Sequence, residues 1–200
     1  MKKITLISSI ILIFSYISFA QTDIPVISIK QLETDCSNND YLACYFAGQL
    51  FQDTGLMISA TTAYKKACDN RIYESCVRLG RIYKNDYNKA MHKEAVKLFN
   101  TACDNSIAAG CFELAALYYQ GNIISKSLTR ARKLYDRACS MQNAPSCFNM
   151  GVIYQQGLKV KKDAKKALEY YKKSCSLKLD KGCLEYENLL NNLTDTLKDK

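Results

Sequence analysis

The chain has 200 residues, of which 48% are hydrophobic, as is typical of a globular protein with one substantial domain. Its formal net charge of +9 indicates a moderately basic surface, which suits acidic proteins, cell-wall polymers or anionic membranes as partners. Because no nucleic-acid-binding module is recognisable in the sequence, we exclude nucleic acid from the expected partners.

The first predicted element is a secretory signal peptide over residues 1–20, followed by a mature domain over residues 21–200. Lys2 and Lys3 precede the apolar run ITLISSIILIFSYISF, which ends in a small-x-small triplet at residues 18–20. The run has 16 residues, fewer than the roughly 20 that a membrane-spanning helix needs, and no cysteine follows it directly. We therefore expect cleavage, no stable membrane anchor, and a mature protein that is periplasmic or secreted.

All ten cysteines lie in the predicted mature domain, and export to an oxidising compartment allows them to form disulfides. They occur as five pairs with the same Cys-x7-Cys spacing, as in CDNRIYESC and CDNSIAAGC. The repeat favours one disulfide within each pair and no free thiol: Cys36–Cys44, Cys68–Cys76, Cys103–Cys111, Cys139–Cys147 and Cys175–Cys183. On a continuous helix, residues eight apart are separated by about 12 Å, whereas a disulfide needs Cα atoms within about 7 Å. The chain is therefore predicted to double back between the two cysteines of every pair.

The first cysteines of the five pairs are 32 to 36 residues apart, a period typical of stacked supersecondary units. Residues eight, four and one before the first cysteine are alanine, aromatic and small, as in Ala60, Tyr64 and Ala67. These steps mark one face of a helix. After the second cysteine, residues such as Leu79 and Tyr83 mark another face. Each unit is therefore predicted to be a pair of amphipathic helices, with the repeated tyrosines in the core.

The stretches KKDAKKALEYYKKSCSLKLDKGC and KLYDRACSMQNAPSCFNMGVIYQQGLKV resemble Sel1-like repeats. With the Cys-x7-Cys element included, the sequence resembles the cysteine-rich Sel1-like proteins of Helicobacter, the Hcp family. The resemblance implies an all-α fold, a right-handed, TPR-like solenoid of five disulfide-stapled αα-hairpins. The period then places the five repeats at residues 24–54, 55–86, 87–124, 125–160 and 161–193.

The two end repeats depart from the pattern. The first repeat has Ser28 and Leu32 where the others have the alanine and the aromatic residue. The last repeat has Glu187 and Leu190 in the small and tyrosine positions of its second helix. Because the terminal repeats of a solenoid act as caps, we expect atypical packing at both ends.

The sequence offers no catalytic, metal or cofactor site. Hcp proteins are often labelled β-lactamases, which implies that a slow β-lactam-binding hydrolase is an alternative function. Serine β-lactamases use Ser-x-x-Lys, and this motif does not occur in the sequence. A zinc site usually combines closely spaced cysteines with histidine, and His92 is the only histidine. If the cysteines are paired as above, no thiolate remains as a nucleophile.

The best candidates for ligand binding are variable residues two and three positions before each first cysteine. They include five basic side chains: Lys65, Lys66, Arg137, Lys172 and Lys173. Stacked units would align them in a ridge beside the first helices, where solenoids read their partners with variable residues on a fixed framework. The alternative is a solvated helix face. We therefore expect a non-enzymatic scaffold whose concave face binds a peptide, a protein or a cell-wall fragment.

Overall fold

The computed structural model describes residues 28–198, with side chains described as far as residue 194. The predicted signal peptide at residues 1–20 lies outside the described residues. Within them the chain forms α-helices and no β-strand. None of these helices is both long enough and apolar enough to span a bilayer. The helices are α1 (Ile29–Ser37), α2 (Tyr41–Asp53), α3 (Met57–Asp69), α4 (Tyr73–Lys84), α5 (Lys89–Asp104), α6 (Ala108–Gln120), α7 (Leu128–Ser140), α8 (Ala144–Gln156), α9 (Ala164–Ser176) and α10 (Asp180–Lys198).

The helices form five consecutive hairpins, which we number units 1 to 5, from α1 with α2 to α9 with α10. Each helix packs mainly against the helices that precede and follow it in the chain. The fold is therefore an all-α solenoid, as the resemblance implied. The last helix, α10, continues past the predicted end of the last repeat at residue 193 to Lys198.

A left-handed residue turns the chain within every hairpin. In each unit the third residue after the first cysteine has a positive φ, between 63° and 70°. These residues are Asn39, Arg71, Ser106, Gln142 and Lys178. This conformation is uncommon for residues other than glycine, so its recurrence at one position marks the place where each first helix ends. The chain doubles back there, as the cysteine spacing required.

Five disulfides close the five hairpins, and they join the cysteines that the repeat paired. Their Cα–Cα distances lie between 4.4 and 4.9 Å. All ten cysteines of the chain are bonded in this way, and none is free. Each bond holds the end of the first helix against the start of the second.

Successive units pack by placing an aromatic ring over a small residue. A Cβ atom added to Gly80 would lie 2.6 Å from the ring of Phe99 in the next unit, and one added to Gly151 would lie 2.5 Å from Tyr171. Gly48 stands in the same relation to Tyr64, at 2.7 Å. These distances are shorter than van der Waals contact, so a larger residue would push the units apart. The small residues at these joints therefore allow the helices of successive units to approach closely.

The tyrosines of the second helices lie less deep than the sequence predicted. Tyr64, Tyr135 and Tyr171 of the first helices are buried, but Tyr118 and Tyr154 are only half-buried, like Tyr83. Tyr118 and Tyr154 lie at the joints to the following unit, where a cation covers each ring. Arg130 is 5.3 Å from the Tyr118 centroid, and Lys166 is 5.3 Å from that of Tyr154. All three tyrosines pack against the core, as predicted, but they stay partly exposed, and the next unit supplies a cation to Tyr118 and Tyr154.

Candidate functional site

Two residues of the predicted basic ridge bind the preceding unit. Lys66 Nζ donates a hydrogen bond to the carbonyl oxygen of Cys36 at 2.6 Å, and Arg137 Nη2 donates to the carbonyl oxygen of Cys103 at 2.8 Å. Both carbonyls lie in the last turn of a first helix, where the helix dipole favours a positive charge. Lys66 and Arg137 therefore link neighbouring units in addition to any contact with a partner.

The other three ridge residues are exposed. Lys65 forms an ion pair with Asp69 at 2.6 Å on the same helix, and this hydrogen bond raises the pKa of Lys65. Lys172 and Lys173 lie exposed on α9. The equivalent positions of unit 3 hold the uncharged residues Asn100 and Thr101. The five ridge residues therefore do not form one uninterrupted basic surface, because unit 3 separates those of α3 from those of α7 and α9.

A groove of about 420 Å³ lies along the second helices of units 3, 4 and 5. Its walls include Tyr119 from α6, Phe148 and Val152 from α8, and Glu185 from α10. Such a site combines apolar and aromatic walls with a few polar groups, which is the usual composition of ligand grooves. Because it crosses three units, its length follows the axis along which the units stack.

The floor of the groove is formed by two buried tyrosines whose hydroxyl groups are held by amides. Tyr171 Oη donates to Oε1 of Gln155 at 2.7 Å. Burial raises the pKa of Tyr135 to about 12, although a hydrogen bond from Asn149 lowers it, and burial also raises the pKa of Tyr171 to about 12. Both tyrosines are therefore protonated at neutral pH, and the floor carries no charge.

Charged and amide groups lie at the rim of the groove. Lys181 Nζ stands 4.7 Å from the ring centroid of Phe148, and Glu185 lies one helical turn further along α10. The exposed side chain of Gln156 lines the same groove. An opposite pair of charges and a free amide beside apolar walls can orient the backbone and side chains of an extended peptide.

A buried carboxylate joins units 2 and 3. Glu113 of α6 is only 6% exposed. It accepts hydrogen bonds from Arg81 Nε at 2.7 Å and from Lys84 Nζ at 2.8 Å, both on α4. A buried ion is tolerated when it is paired and hydrogen-bonded in this way. Both carboxylate oxygens are engaged, so Glu113 holds the two units together.

The groove is lined by hydroxyl, amide and charged side chains beside its apolar walls. Its hydroxyl groups belong to Tyr119, Tyr135 and Tyr171. All ten cysteines are in disulfides. Over the residues that the structure describes, no group of three or more His, Cys, Asp or Glu residues is placed to hold a metal ion.

The second helices also have a variable position, and it marks part of the groove. The sequence analysis considered only the variable positions of the first helices. The position two residues after the second cysteine varies, with Arg78, Glu113, Asn149 and Glu185 in units 2 to 5. In the structure this position supplies Glu113 to the ion pairs and the last two residues to the groove. Extending the same search to the second helices would have found them.

A comparison with protein-family models identifies the repeat. The Sel1 repeat model matches residues 74–106, 108–143 and 144–179, which together exceed half of the chain. The chain belongs to the Sel1 repeat family. A search of curated proteins finds no significant match.

Solved structures of Sel1 repeat proteins share the fold. Cysteine rich protein B of Helicobacter pylori is 27% identical, with a TM-score of 0.51 over 62% of this chain and 90% of that one. The protective antigen c5321 of uropathogenic Escherichia coli, which has an SLR fold, is 19% identical, with a TM-score of 0.69 over 86% of this chain. A Sel1 repeat protein from Oxalobacter formigenes is 20% identical, with a TM-score of 0.67 over 77% of this chain. The match spans only 41% of the E. coli protein and 65% of the Oxalobacter protein.

Proposed function

We propose that this Sel1 repeat protein is an exported scaffold without enzymatic activity, which binds an extended peptide segment of a partner protein. The ligand lies in the groove along α6, α8 and α10. The observation that carries the proposal is the continuity of this groove over three units, with aromatic walls and an uncharged floor. A cell-wall fragment of similar width is the other ligand that such walls suit.

Two observations support export. The apolar run after Lys2 and Lys3 is typical of a signal peptide. The five disulfides are consistent with an oxidising compartment, because reducing systems keep thiols free in the cytosol. Comparing the mass of the purified mature protein with that expected for cleavage after residue 20 tests this part of the proposal.

A position-matched pair of variants tests the groove. Gln156 and Gln120 are the last residues of α8 and α6, both are exposed, and only Gln156 lines the groove. We expect Gln156→Trp to fill the groove and weaken binding of selected peptides at least about tenfold, since a few central residues dominate such interfaces. Gln120→Trp should leave the affinity unchanged.

The measurement is the affinity of peptides selected from a displayed library on the purified oxidised protein. Equal weakening by Gln156→Trp and Gln120→Trp, or a library that yields no bound peptide, would refute the groove as a peptide site. Turnover of a chromogenic cephalosporin above that of serum albumin, lost on mutation of a groove residue, would instead support the slow β-lactam-binding hydrolase that the resemblance raised.

A further inference from the structure

The positive charge of the protein is concentrated in unit 4 and the first helix of unit 5. Residues 125–178 contain 13 Lys and Arg residues against 3 Asp and Glu residues, a net charge of +10. The whole chain carries +9, so the remainder has a net charge of −1. A local excess of this size creates a potential that attracts anions to one part of the molecule.

These basic side chains are almost all without an acidic partner among the described residues. Arg137 is the exception, at 3.5 Å from Asp104. None of the other twelve takes part in an ion pair with a described Asp or Glu. Basic residues elsewhere in the molecule, such as Lys65 with Asp69, do form ion pairs, so the scarcity of such pairs is particular to residues 125–178. Neutralisation of the region is therefore left to solvent ions or to a partner.

A second groove lies within this basic region, at the joint between α8 and α9. Its volume is about 910 Å³. Apolar side chains of Tyr154, Val160 and Leu193 line it, and it shares no lining residue with the groove along α6, α8 and α10. Four lysines line the same groove, Lys161, Lys162, Lys165 and Lys166, against a single carboxylate, that of Asp163. The groove therefore combines apolar walls with a concentration of positive charge.

We propose that this surface binds anionic membrane lipids, and that the protein associates peripherally with a membrane through it. Phosphate groups pair with the lysines, and acyl chains lie against Tyr154 and Val160. This surface is separate from the proposed peptide groove, so either proposal stands without the other. Charge complementarity requires a negatively charged partner. The apolar lining favours a lipid over a polyanion that has no apolar part.

The side chains of the second groove suit a membrane interface. Tyr154 is stacked on Tyr170, with ring centroids 5.6 Å apart and an angle of 10° between the planes. Lys166, which lies on α9 like Tyr170, has its Nζ atom 5.3 Å from the centroid of the Tyr154 ring. Tyrosine rings favour the boundary between apolar and aqueous phases, and lysine stems lie along apolar surface while the ammonium group stays at the polar side.

Vesicle binding by matched variants tests this proposal. Each basic residue close to an anionic surface strengthens binding by about 1 kcal/mol, or roughly fivefold. We expect Lys161→Glu with Lys162→Glu to weaken binding to vesicles of mixed phosphatidylglycerol and phosphatidylcholine by at least about 25-fold. The control is Lys89→Glu with Lys93→Glu, which makes the same charge change at two exposed positions of α5. The control should change binding less than about fivefold.

The assay is co-sedimentation of the mature oxidised protein, with a melting curve for each variant. Binding should require phosphatidylglycerol, because vesicles of phosphatidylcholine alone lack the charge, and it should weaken from low to physiological ionic strength. An uncleaved apolar N-terminus would bind both kinds of vesicle alike. Equal loss in the two double variants would overturn the proposal, as would competition by free glycerol phosphate or by polyglutamate at least as strong as that by the lipid. The last two results would assign the surface to a soluble anion or to an acidic protein.

Discussion

The interior units and the last unit carry the same disulfide, but they surround it differently. Cys103 and Cys111 of unit 3 are 1% and 0% exposed, and the pair in unit 4 is buried to the same degree. In unit 5 both Cys175 and Cys183 are only half-buried. The loop between the cysteines has the same length in all units, so we attribute the difference to the neighbours that stack on both sides of an interior unit.

The outermost helices, α1 and α10, show the same dependence on neighbours. Helix α1 has no buried residue at all, whereas α5 in the interior buries Ala95, Phe99, Ala102 and Cys103. At the other end Glu187 occupies the position of Gly151 and is exposed, and among the described residues no ring packs over this position. The residues that depart from the repeat pattern in the first and last units thus lie on surfaces that no other described unit covers.

The largest effect is expected from removing a disulfide in the interior. Each bond closes a loop of the same length, which contributes about 2.5 kcal/mol in the chain-entropy model. Cys103→Ser with Cys111→Ser should cost roughly a further 1–3 kcal/mol, because two polar hydroxyl groups then replace sulfur atoms at a fully buried site. Cys175→Ser with Cys183→Ser should cost only the loop-closure contribution of about 2.5 kcal/mol. Urea unfolding followed by circular dichroism measures both, and equal or reversed losses would contradict the stacking account.

The joints themselves give the next effect. A Cβ atom at residue 151 would lie 2.5 Å from the Tyr171 ring, so Gly151→Ala should destabilise the protein by about 1–3 kcal/mol through overpacking, although alanine favours helix. The matched change at the end, Glu187→Ala, should stay within about 0.5 kcal/mol because the side chain is exposed. Thermal melts of the two variants decide the point. A Gly151→Ala protein as stable as the parent would show that the ring can move away.

The repeat made the core and the disulfides predictable, since the same residue types recur in phase in every unit. Ala60, Ala95, Ala131 and Ala167 are all fully buried, as their shared position indicated. The ion pairs of Glu113 were not predictable, because other units place Arg78 or Asn149 at the same position. Burial of this carboxylate depends on Arg81 and Lys84 in the preceding unit, and no local pattern records such a pairing.

The links made by Lys66 and Arg137 could be predicted from the sequence only in part. Both stand two residues before a first cysteine, and the same position in unit 5 holds Lys173. This recurrence of a basic residue was visible in the sequence and led to the predicted ridge. It could not show whether the side chain turns to a partner or to a carbonyl oxygen of the preceding unit, because that depends on how the units stack.

A moderate loss of stability is expected at alkaline pH. Joints that contain a buried tyrosine should contribute to it, whereas the joint that contains Phe99 should not. Burial raises the pKa of Tyr64, Tyr135 and Tyr171 to about 12 from the ordinary value of 10.0. The folded state therefore holds these protons more tightly than the unfolded state. Their contribution to stability is complete below pH 10 and is lost as the pH rises towards 12.

The melting temperature should accordingly fall between pH 10 and pH 12, in step with tyrosinate absorbance. Tyr171→Phe should reproduce the joint at Phe99, which has no titrating group, and so make that fall shallower. At neutral pH the same variant should lose about 1 kcal/mol with its hydrogen bond to Gln155. An unchanged alkaline slope would show that Tyr171 does not contribute to it.

The smallest effect compares two adjacent lysines. Lys66 links units 1 and 2 through the Cys36 carbonyl, whereas Lys65 pairs only with Asp69 on its own helix. We expect Lys66→Met to cost about 1–2 kcal/mol, as a hydrogen bond from a charged donor does, and Lys65→Met at most about 0.5 kcal/mol. Chemical denaturation at low salt measures the two losses. If Lys65→Met cost as much as Lys66→Met, the link between units 1 and 2 would not contribute measurably.

The measurement that tests the stapled-unit architecture most directly is a non-reducing tryptic peptide map. Units 1, 3 and 4 have no Lys or Arg between their cysteines, so each should give one peptide that contains an internal disulfide. Trypsin cuts unit 2 after Arg71 and unit 5 after Lys178 and Lys181, so these two should give pairs of peptides joined by one bond. The account predicts these five species and no free thiol. A peptide that joins cysteines of two different units would contradict it.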